Sequence, residues 1–137
     1  MNAVERLTEY GIKPSVQRMA IMDYLMTHRT HPTADEVYSA LCDSIPTLSK
    51  TTVYNTLKLF VDNRAALMLT IDNKLVRFDG DTSLHSHFLC HRCGKVYDLP
   101  YSGKKSEARM PNLEGHNIEE IHHYYKGVCR ECLQKEV

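Results

Sequence analysis

The stretch Cys90-His91-Arg92-Cys93-Gly94 and the later stretch Cys129-Arg130-Glu131-Cys132 each contain two cysteines separated by two residues. Two such pairs are the donor set that one tetrahedral Zn²⁺ needs, with Zn–S distances of about 2.3 Å. Gly94 follows the first pair, where a tight turn requires an unusual backbone angle. The pattern predicts a structural zinc site, and an iron site of the rubredoxin type or a thioredoxin-like redox pair are the alternatives. Four thiolates leave no open coordination position on the ion. The site is therefore predicted to stabilise the fold and to catalyse no reaction.

The composition of the chain limits its class. The 137 residues include 42% hydrophobic and 25% charged side chains, which is typical of a globular protein. The 17 basic and 17 acidic residues balance, so binding of nucleic acid by bulk charge alone is not expected. The chain has neither an apolar stretch of membrane-spanning length nor a signal-peptide pattern at its start. These features predict a cytoplasmic protein without membrane association, in which thiols stay reduced and available for a metal.

The first half of the chain has the apolar spacing of α-helices. Thr33-Ala34-Asp35-Glu36 is a capping-box pattern, and Ser49 is placed to cap a later helix. Cys42 is interpreted as a small buried apolar residue. The predicted inward positions are Val4, Leu7, Tyr10, Val16, Met19, Met22, Met26, Ala34, Val37, Tyr38, Leu41, Val53, Leu57, Phe60 and Val61.

Beyond these helices the apolar period changes to two. Residues 67–71 and 75–78 alternate on either side of an Asp72-Asn73 turn, which predicts a β-hairpin. Helices followed by a hairpin match a winged helix-turn-helix. Further strands are predicted at 87–89, 95–99 and 118–128, with a helical piece within 102–113. The predicted class is α+β, with a winged-helix domain over 1–79, a hinge over 80–84 and a small α/β domain with the Cys₄ zinc site over 85–137.

The helix that Ser49 caps would be the second helix of the helix-turn-helix, which lies in the major groove of DNA. Its predicted outer face carries Thr51, Thr52, Asn55 and Lys58, with Tyr54 beside them. Hydroxyl and amide groups suit base edges and phosphates, and a lysine suits a phosphate. An ordinary solvated helix face is the alternative. Because the N-terminal half of the chain is not basic, we expect a monomer to bind DNA weakly and a dimer to bind it more strongly.

A second metal site is predicted from histidines and carboxylates. His85 and His87 are two apart in a predicted strand and project to one face, whereas Cys90 has the opposite parity. Asp98 lies on the return strand, and Asp79 and His31 precede it in the chain. Nitrogen and oxygen donors without sulfur favour Fe²⁺ or Mn²⁺, although such sites also bind Zn²⁺. Ordinary hydrogen-bonded histidines are the alternative. An ion bound by residues of both domains would fix their arrangement, which is a mechanism for a metal-gated DNA switch.

Several segments in order resemble the Fur family of metal-responsive bacterial transcription regulators over nearly the whole chain. The segments are Gln17-Arg18, His31-Pro32-Thr33-Ala34-Asp35-Glu36-Val37-Tyr38, Thr52-Val53-Tyr54, Arg77-Phe78-Asp79, His85-Ser86-His87-Phe88-Leu89-Cys90, Cys93-Gly94-Lys95-Val96 and Gly127-Val128-Cys129-Arg130-Glu131-Cys132.

The resemblance implies a homodimer whose C-terminal α/β domain dimerises and whose winged helices bind double-stranded, palindromic operator DNA. It implies structural Zn²⁺ on the four cysteines and regulatory Fe²⁺ or Mn²⁺ on a second set of ligands. That second set is His31, Asp79, His85, His87 and Asp98. The implied DNA-binding residues are Arg18, Ser49, Thr51, Thr52, Tyr54, Asn55 and Lys58.

Asp79, Asp98 and Asn55 make the chain most similar to the peroxide-sensing PerR branch of that family. In this branch, iron-catalysed oxidation modifies ligand histidines, here His31 and His85, and repression is lifted. An iron-uptake repressor on the same scaffold is the alternative. A small metal-dependent hydrolase and a zinc-ribbon adaptor that does not bind DNA are the readings from other classes. No nucleophile and base pair of the usual kind supports the hydrolase.

Overall fold

The computed structural model describes residues 1–72, 74–83, 85–100, 114–117 and 122–135. The described residues form two compact units, one within Met1–Thr82 and the other within Ser83–Val137. The first unit contains four helices and a two-stranded hairpin, and the second contains a three-stranded sheet and a short helix. The fold class is therefore α+β.

Four helices build most of the first unit. They are α1 (Ala3–Glu9), α2 (Val16–Thr27), α3 (Ala34–Leu41) and α4 (Lys50–Asp62). Each begins where a polar side chain caps it: the side chains of Asn2, Ser15, Thr33 and Ser49 each accept a hydrogen bond from a backbone N–H in the first turn. The predicted capping box is confirmed, because Glu36 also accepts a hydrogen bond from the Thr33 N–H at 3.3 Å.

The hairpin consists of β1 (Leu67–Leu69) and β2 (Arg77–Asp79), which pair antiparallel with Met68 opposite Phe78. Both strands are shorter than predicted, and β2 begins two residues later than expected. Leu75 and Val76 are 48% and 42% exposed. The apolar alternation therefore extends further along the chain than the hydrogen-bonded strands, and Ile71, which lies beyond the end of β1, is still fully buried.

The core of the first unit lies between the helices and the inner face of the hairpin. Its fully buried large side chains include Leu7, Ile21, Met22, Leu25, Val37, Val53, Leu57, Phe60 and Phe78. Each such side chain contributes roughly 1.5–3 kcal/mol when it is removed from water.

Some predicted inward positions are wrong. Val4 and Val16 are 44% and 70% exposed, because each lies in the first turn of its helix, where the buried face is supplied by neighbouring positions. Ala3 and Ile21 are buried instead. In α4, Thr56 is buried and Val61 is only partly buried. Cys42 is half-buried at the C-terminal cap of α3, so it is not the fully buried residue predicted.

The sheet of the second unit has the order β4-β3-β5. Its strands are β3 (Ser86–Cys90), β4 (Val96–Leu99) and β5 (Tyr124–Gly127); β3 pairs antiparallel with β4 and parallel with β5. A short helix, α5 (Arg130–Gln134), follows β5 and was not predicted. The predicted strand over 118–128 is observed only at Tyr124–Gly127, and residues 118–121 lie outside the described part. The predicted helical piece within 102–113 also lies outside the described residues.

Few apolar side chains are buried in the described part of the second unit. They are Cys90, Val96 and Cys129, and two of these are cysteines of the paired motifs. The cysteines are therefore a large share of what is buried in these described residues.

Candidate functional site

The four cysteines of the paired motifs lie together in the second unit. The Sγ atoms of Cys90 and Cys132 are 3.8 Å apart, and those of Cys93 and Cys129 are also 3.8 Å apart. A tetrahedron with Zn–S distances of about 2.3 Å has edges of about 3.8 Å. The sulfur positions therefore fit a single tetrahedral ion. A disulfide is excluded at this separation, because an S–S bond measures about 2.05 Å.

The local backbone explains how the pairs form. The Cys90 carbonyl accepts a hydrogen bond from the Gly94 N–H at 2.9 Å, which closes the turn after β3, and Gly94 has a φ of +77°. In the second pair, Cys129 is the residue before α5, so Cys132 lies one turn along the helix. The Cys90 Sγ accepts hydrogen bonds from the backbone N–H groups of Cys93 and Cys129 at 3.5 and 3.3 Å. Such N–H donors stabilise thiolates.

The ionisation of these thiols follows from their neighbours. The Cys93 backbone N–H, followed by that of Cys129, lowers the pKa of Cys90 to about 5 against the opposing effect of burial. The hydrogen bond shared with Cys129 raises the pKa of Cys132 to about 12, and burial acts in the same direction. At neutral pH the site thus combines a Cys90 thiolate with a Cys132 thiol that keeps its proton until a cation displaces it. With its closed donor set, it fits a structural zinc ion.

Tyr97 on β4 is a part of this site that the sequence did not indicate. Its buried hydroxyl has no hydrogen-bond partner within the usual distance and angle limits in the described ranges. It nevertheless lies close enough to the Cys129 sulfur to lower the pKa of that thiol, and the same contact raises the pKa of Tyr97. A hydroxyl buried beside a thiolate stabilises its negative charge, so Tyr97 supports the ligand Cys129.

The second unit also contains three of the predicted regulatory ligands. His87 and Asp98 are direct partners on β3 and β4, and His85 immediately precedes β3. The Asp98 Oδ1 lies 3.1 Å from the His85 Nε2 and 3.3 Å from the His87 Nε2. Both imidazoles therefore lie on one side of the sheet, as strand alternation predicts. Cys90, with the opposite parity, lies with the other cysteines.

A hydrogen bond at Nδ1 fixes the tautomer of His85. Its Nδ1 lies 2.7 Å from the Ser83 carbonyl oxygen, which can only accept a hydrogen bond, so Nδ1 carries a proton. The Nε2 of a neutral His85 then presents its lone pair towards the Asp98 carboxylate. Two such acceptors approach each other closely only when a cation lies between them, either a proton on the imidazole or a metal ion. A backbone carbonyl on the ring nitrogen that does not face the metal is a common support of metal-bound histidines.

The first unit contains the other two predicted ligands. The His31 Nε2 lies 3.5 Å from the Asp79 Oδ2, and both side chains are almost fully buried. His31 has a φ of +56°, which is uncommon for a residue with a side chain. Two hydrogen bonds from β2 hold this backbone: Arg77 Nη1 donates to the His31 carbonyl at 3.1 Å, and the Phe78 N–H donates to the Pro32 carbonyl at 2.9 Å. A buried histidine held in this way beside a buried carboxylate suits a metal ligand pair.

The residues predicted to bind DNA are spread over α2 and α4. Thr51, Tyr54 and Asn55 are exposed on α4, with Tyr54 49% exposed. Thr52 and Lys58 are half-buried. Ser49 caps α4 through the Thr52 N–H at 3.0 Å and donates to the Thr52 hydroxyl at 2.9 Å, so its side chain already has a structural role. Arg18 on α2 is half-buried and donates to the Lys13 carbonyl at 2.9 Å.

None of the helices in the described ranges combines the length and apolar character that crossing a bilayer requires.

Comparison with known proteins identifies the family. The model of the ferric uptake regulator family matches residues 9–126. The chain is 38% identical over 135 residues to the peroxide operon regulator of Bacillus subtilis (strain 168), covering 98% of this chain and 93% of that protein. It is 37% identical over 135 residues to the peroxide-responsive repressor PerR of Staphylococcus aureus (strain Mu50 / ATCC 700699), covering 97% and 90%.

A solved structure agrees with this assignment at the level of the fold. The ferric uptake regulator of Pseudomonas aeruginosa with manganese superimposes with a TM-score of 0.75 at 20% identity, over 95% of this chain and 99% of that one. The match of the family model, together with the identity over nearly the full length, establishes that this chain belongs to the ferric uptake regulator family.

Proposed function

We propose that this protein is a metal-dependent DNA-binding repressor that senses peroxide through its regulatory metal site. The observation that carries this function is the sulfur-free donor set, divided into His31 with Asp79 in one unit and His85, His87 and Asp98 in the other. The relatives that are peroxide-responsive repressors support the same function. The Cys₄ cluster stabilises the second unit, and sensing is the task of the other five residues.

The chemistry of the five donors suits Fe²⁺ or Mn²⁺, which accept imidazole and carboxylate ligands. When bound, Fe²⁺ supplies the electron that converts hydrogen peroxide into a reactive oxidant. Five protein ligands would leave one position of an octahedral ion for peroxide. We propose that one of the ligand histidines, His31 or His85, takes up one oxygen atom of a peroxide molecule while the other oxygen atom leaves as water, after which the site loses affinity for the ion.

The division of the ligands between two units gives the metal a way to act on DNA binding. A ligand shifts a conformational equilibrium only by its different affinity for the two states. An ion that is bound by both units has this difference, because only the arrangement that brings the five donors together binds it fully. We propose that this arrangement is the one that presents α4 to DNA.

A homodimer completes the proposal. In the described part of the second unit, β5 lies at an edge of the sheet, and Tyr125 and Leu133 nearby are 55% and 52% exposed. No described strand pairs with the outer edge of β5, and a strand edge with exposed apolar side chains is a surface that a second copy would cover. A two-fold dimer would place two α4 helices on a palindromic operator, with half-sites one helical turn or a multiple of it apart. We propose that the protein acts in the cytoplasm and is not an enzyme.

The decisive experiment exposes the Fe²⁺-loaded protein on operator DNA to H₂O₂ without oxygen and then measures peptide masses. The expected result is a gain of one oxygen atom in the peptides that contain His31 or His85, together with release of DNA. The Mn²⁺-loaded protein is the control and is expected to stay unmodified and bound. Unmodified peptides and undisturbed DNA binding of the Fe²⁺ form would favour the iron-uptake repressor instead.

A further inference from the structure

The peptide unit that joins Gly80 to Asp81 is hydrogen-bonded at both ends. Its N–H, which belongs to Asp81, donates to the Asp79 Oδ1 at 2.9 Å. Its carbonyl oxygen, which belongs to Gly80, accepts a hydrogen bond from Nη2 of Arg6. A peptide unit is planar and resists twisting. The two hydrogen bonds are therefore connected, because a rotation that removes the oxygen from Arg6 also turns the N–H away from Asp79.

Arg6 reaches this peptide from α1, far away in the sequence. The same Nη2 atom also donates to the Ala65 carbonyl at 3.1 Å and lies 3.4 Å from the Thr82 hydroxyl. One guanidinium group thus connects α1, the turn that follows α4 and the segment after β2. The N–H groups of a guanidinium lie in a fixed plane, so Nη2 donates to these acceptors in a defined direction.

Gly80 allows the same segment to approach α2 closely. A Cβ atom at this position would lie 2.8 Å from the Leu25 carbonyl oxygen, closer than such atoms are found. The contacted atoms belong to the backbone of a helix, which cannot move aside easily. The absence of a side chain at Gly80 therefore lets the peptide lie against α2, where it is buried and within reach of Arg6.

These contacts determine the direction of the Asp79 carboxylate. With Oδ1 held by the Asp81 N–H, Oδ2 faces the Nε2 of His31 at 3.5 Å. We propose that Arg6 and Gly80 are positioning residues for the regulatory metal: they fix the Gly80–Asp81 peptide, and this peptide orients Asp79 to bind the ion. This inference rests on the proposed function, in which Asp79 is a metal ligand.

The test compares Mn²⁺ binding to the zinc-containing protein with the substitutions Arg6→Gln and Gly80→Ala. Arg64→Gln is the matched control, because Arg64 is an exposed arginine of the same unit, and Asp79→Ala tests the ligand itself. Loss of a residue that orients a metal ligand typically weakens binding by about 10- to 100-fold. We expect Arg6→Gln and Gly80→Ala each to raise the Kd for Mn²⁺ by at least about 10-fold, with unchanged zinc content and a wild-type Kd for Arg64→Gln.

A second readout needs no regulatory metal. Hydrogen exchange of the Asp81 amide in the protein without Mn²⁺ should become faster in both variants, whereas amides in the middle of α4 should exchange as in the wild type. A general loss of stability would instead accelerate both groups of amides and would overturn the inference.

The outcomes separate the inference from the proposed function. If Asp79→Ala leaves the Kd for Mn²⁺ unchanged, Asp79 is not a ligand and the proposed function itself is wrong. If Asp79→Ala weakens binding while the folded Arg6→Gln and Gly80→Ala proteins bind as the wild type does, only the positioning role is overturned. If Arg6→Gln does not fold, Gly80→Ala decides the question alone, because it displaces the same peptide.

Discussion

Asp98 is the direct cross-strand partner of His87, and its Oδ1 atom lies 3.3 Å from the Nε2 of that histidine. The same oxygen lies 3.1 Å from the His85 Nε2. One carboxylate oxygen therefore contacts the imidazoles of both His85 and His87. Because β4 lies next to β3, Asp98 is placed to bind the same cation as the two histidines.

The first prediction concerns this carboxylate. Asp98→Asn keeps the size of the side chain but removes its negative charge, so it should weaken Mn²⁺ or Fe²⁺ binding by at least about 10-fold. The zinc-bound dimer should remain, because the cysteines lie on the opposite side of β3. DNA binding as a function of Mn²⁺ concentration, together with zinc content, checks this. An unchanged Mn²⁺ requirement would remove Asp98 from the site.

The sequence predicted the strand pairing in this part of the molecule, and the reason is physical. His85 and His87 are two residues apart, Cys90 has the opposite parity, and alternation along a strand separates the two donor sets without further information. Asp98 could be placed because the tight turn after Cys93 returns the chain beside β3. The domain limits and the assignment of ligands to a shared ion remain predictions.

The second prediction concerns the zinc site. Cys132→Ser and Cys93→Ser should each lose zinc and unfold or monomerise the second unit, because metal binding contributes its folding free energy and few apolar groups are buried there. Cys42→Ser is the matched control, since that half-buried cysteine lies in the other unit. Zinc content and sedimentation of the three variants check this. A zinc-free but dimeric Cys132→Ser protein would contradict it.

The third prediction is that zinc affinity rises with pH. Zinc binds thiolates, and the pKa of Cys132 is raised to about 12, so at neutral pH the ion must displace at least that proton. Cys90, with a pKa lowered to about 5, is already ionised there and adds no pH dependence. One displaced proton makes the affinity about tenfold higher per pH unit. Competition with a chelator of known pH dependence, across the neutral range, measures the slope; a flat profile would contradict the prediction.

The fourth prediction concerns the start of α3. Thr33→Ala removes the side chain that accepts the Glu36 N–H at 3.2 Å, and loss of such a cap costs about 1 kcal/mol of unfolding free energy. Thr30→Ala, at an exposed position just before His31, is the control and should change the free energy by less than about 0.5 kcal/mol. Denaturant unfolding, followed through the transition of the first unit, measures the free energy of unfolding of both variants. Equal stability of the two variants would show that the capping box contributes little.

Long-range contacts explain what the sequence could not reveal. Arg6 contacts the Gly80 carbonyl across 74 residues, and no local pattern marks an arginine in α1 for such a contact. No local pattern marks Tyr97 either, and its proximity to Cys129 depends on where α5 begins. The exposed Val16 was misassigned because apolar character was taken as burial, although many apolar side chains remain at protein surfaces.

The last prediction separates two kinds of DNA contact on α4. Lys58 is predicted to bind a phosphate, so Lys58→Ala should weaken binding to all DNA sequences and reduce the slope of log K against log salt by about 1. Asn55, exposed on the same helix, suits a base edge, so Asn55→Ala should cost about 1–3 kcal/mol on the operator and little on unrelated DNA.

Asn63→Ala is not a suitable control, because that side chain donates to the Leu59 carbonyl at 2.9 Å and closes the helix. Asp62→Asn, which changes an exposed residue at the far end of α4, is a better one and should leave the specificity ratio unchanged. Binding of the Mn²⁺-loaded proteins to operator and to unrelated duplex at several salt concentrations distinguishes the two roles. Equal losses for Asn55→Ala on both duplexes would show that α4 holds the DNA backbone there and does not read its sequence.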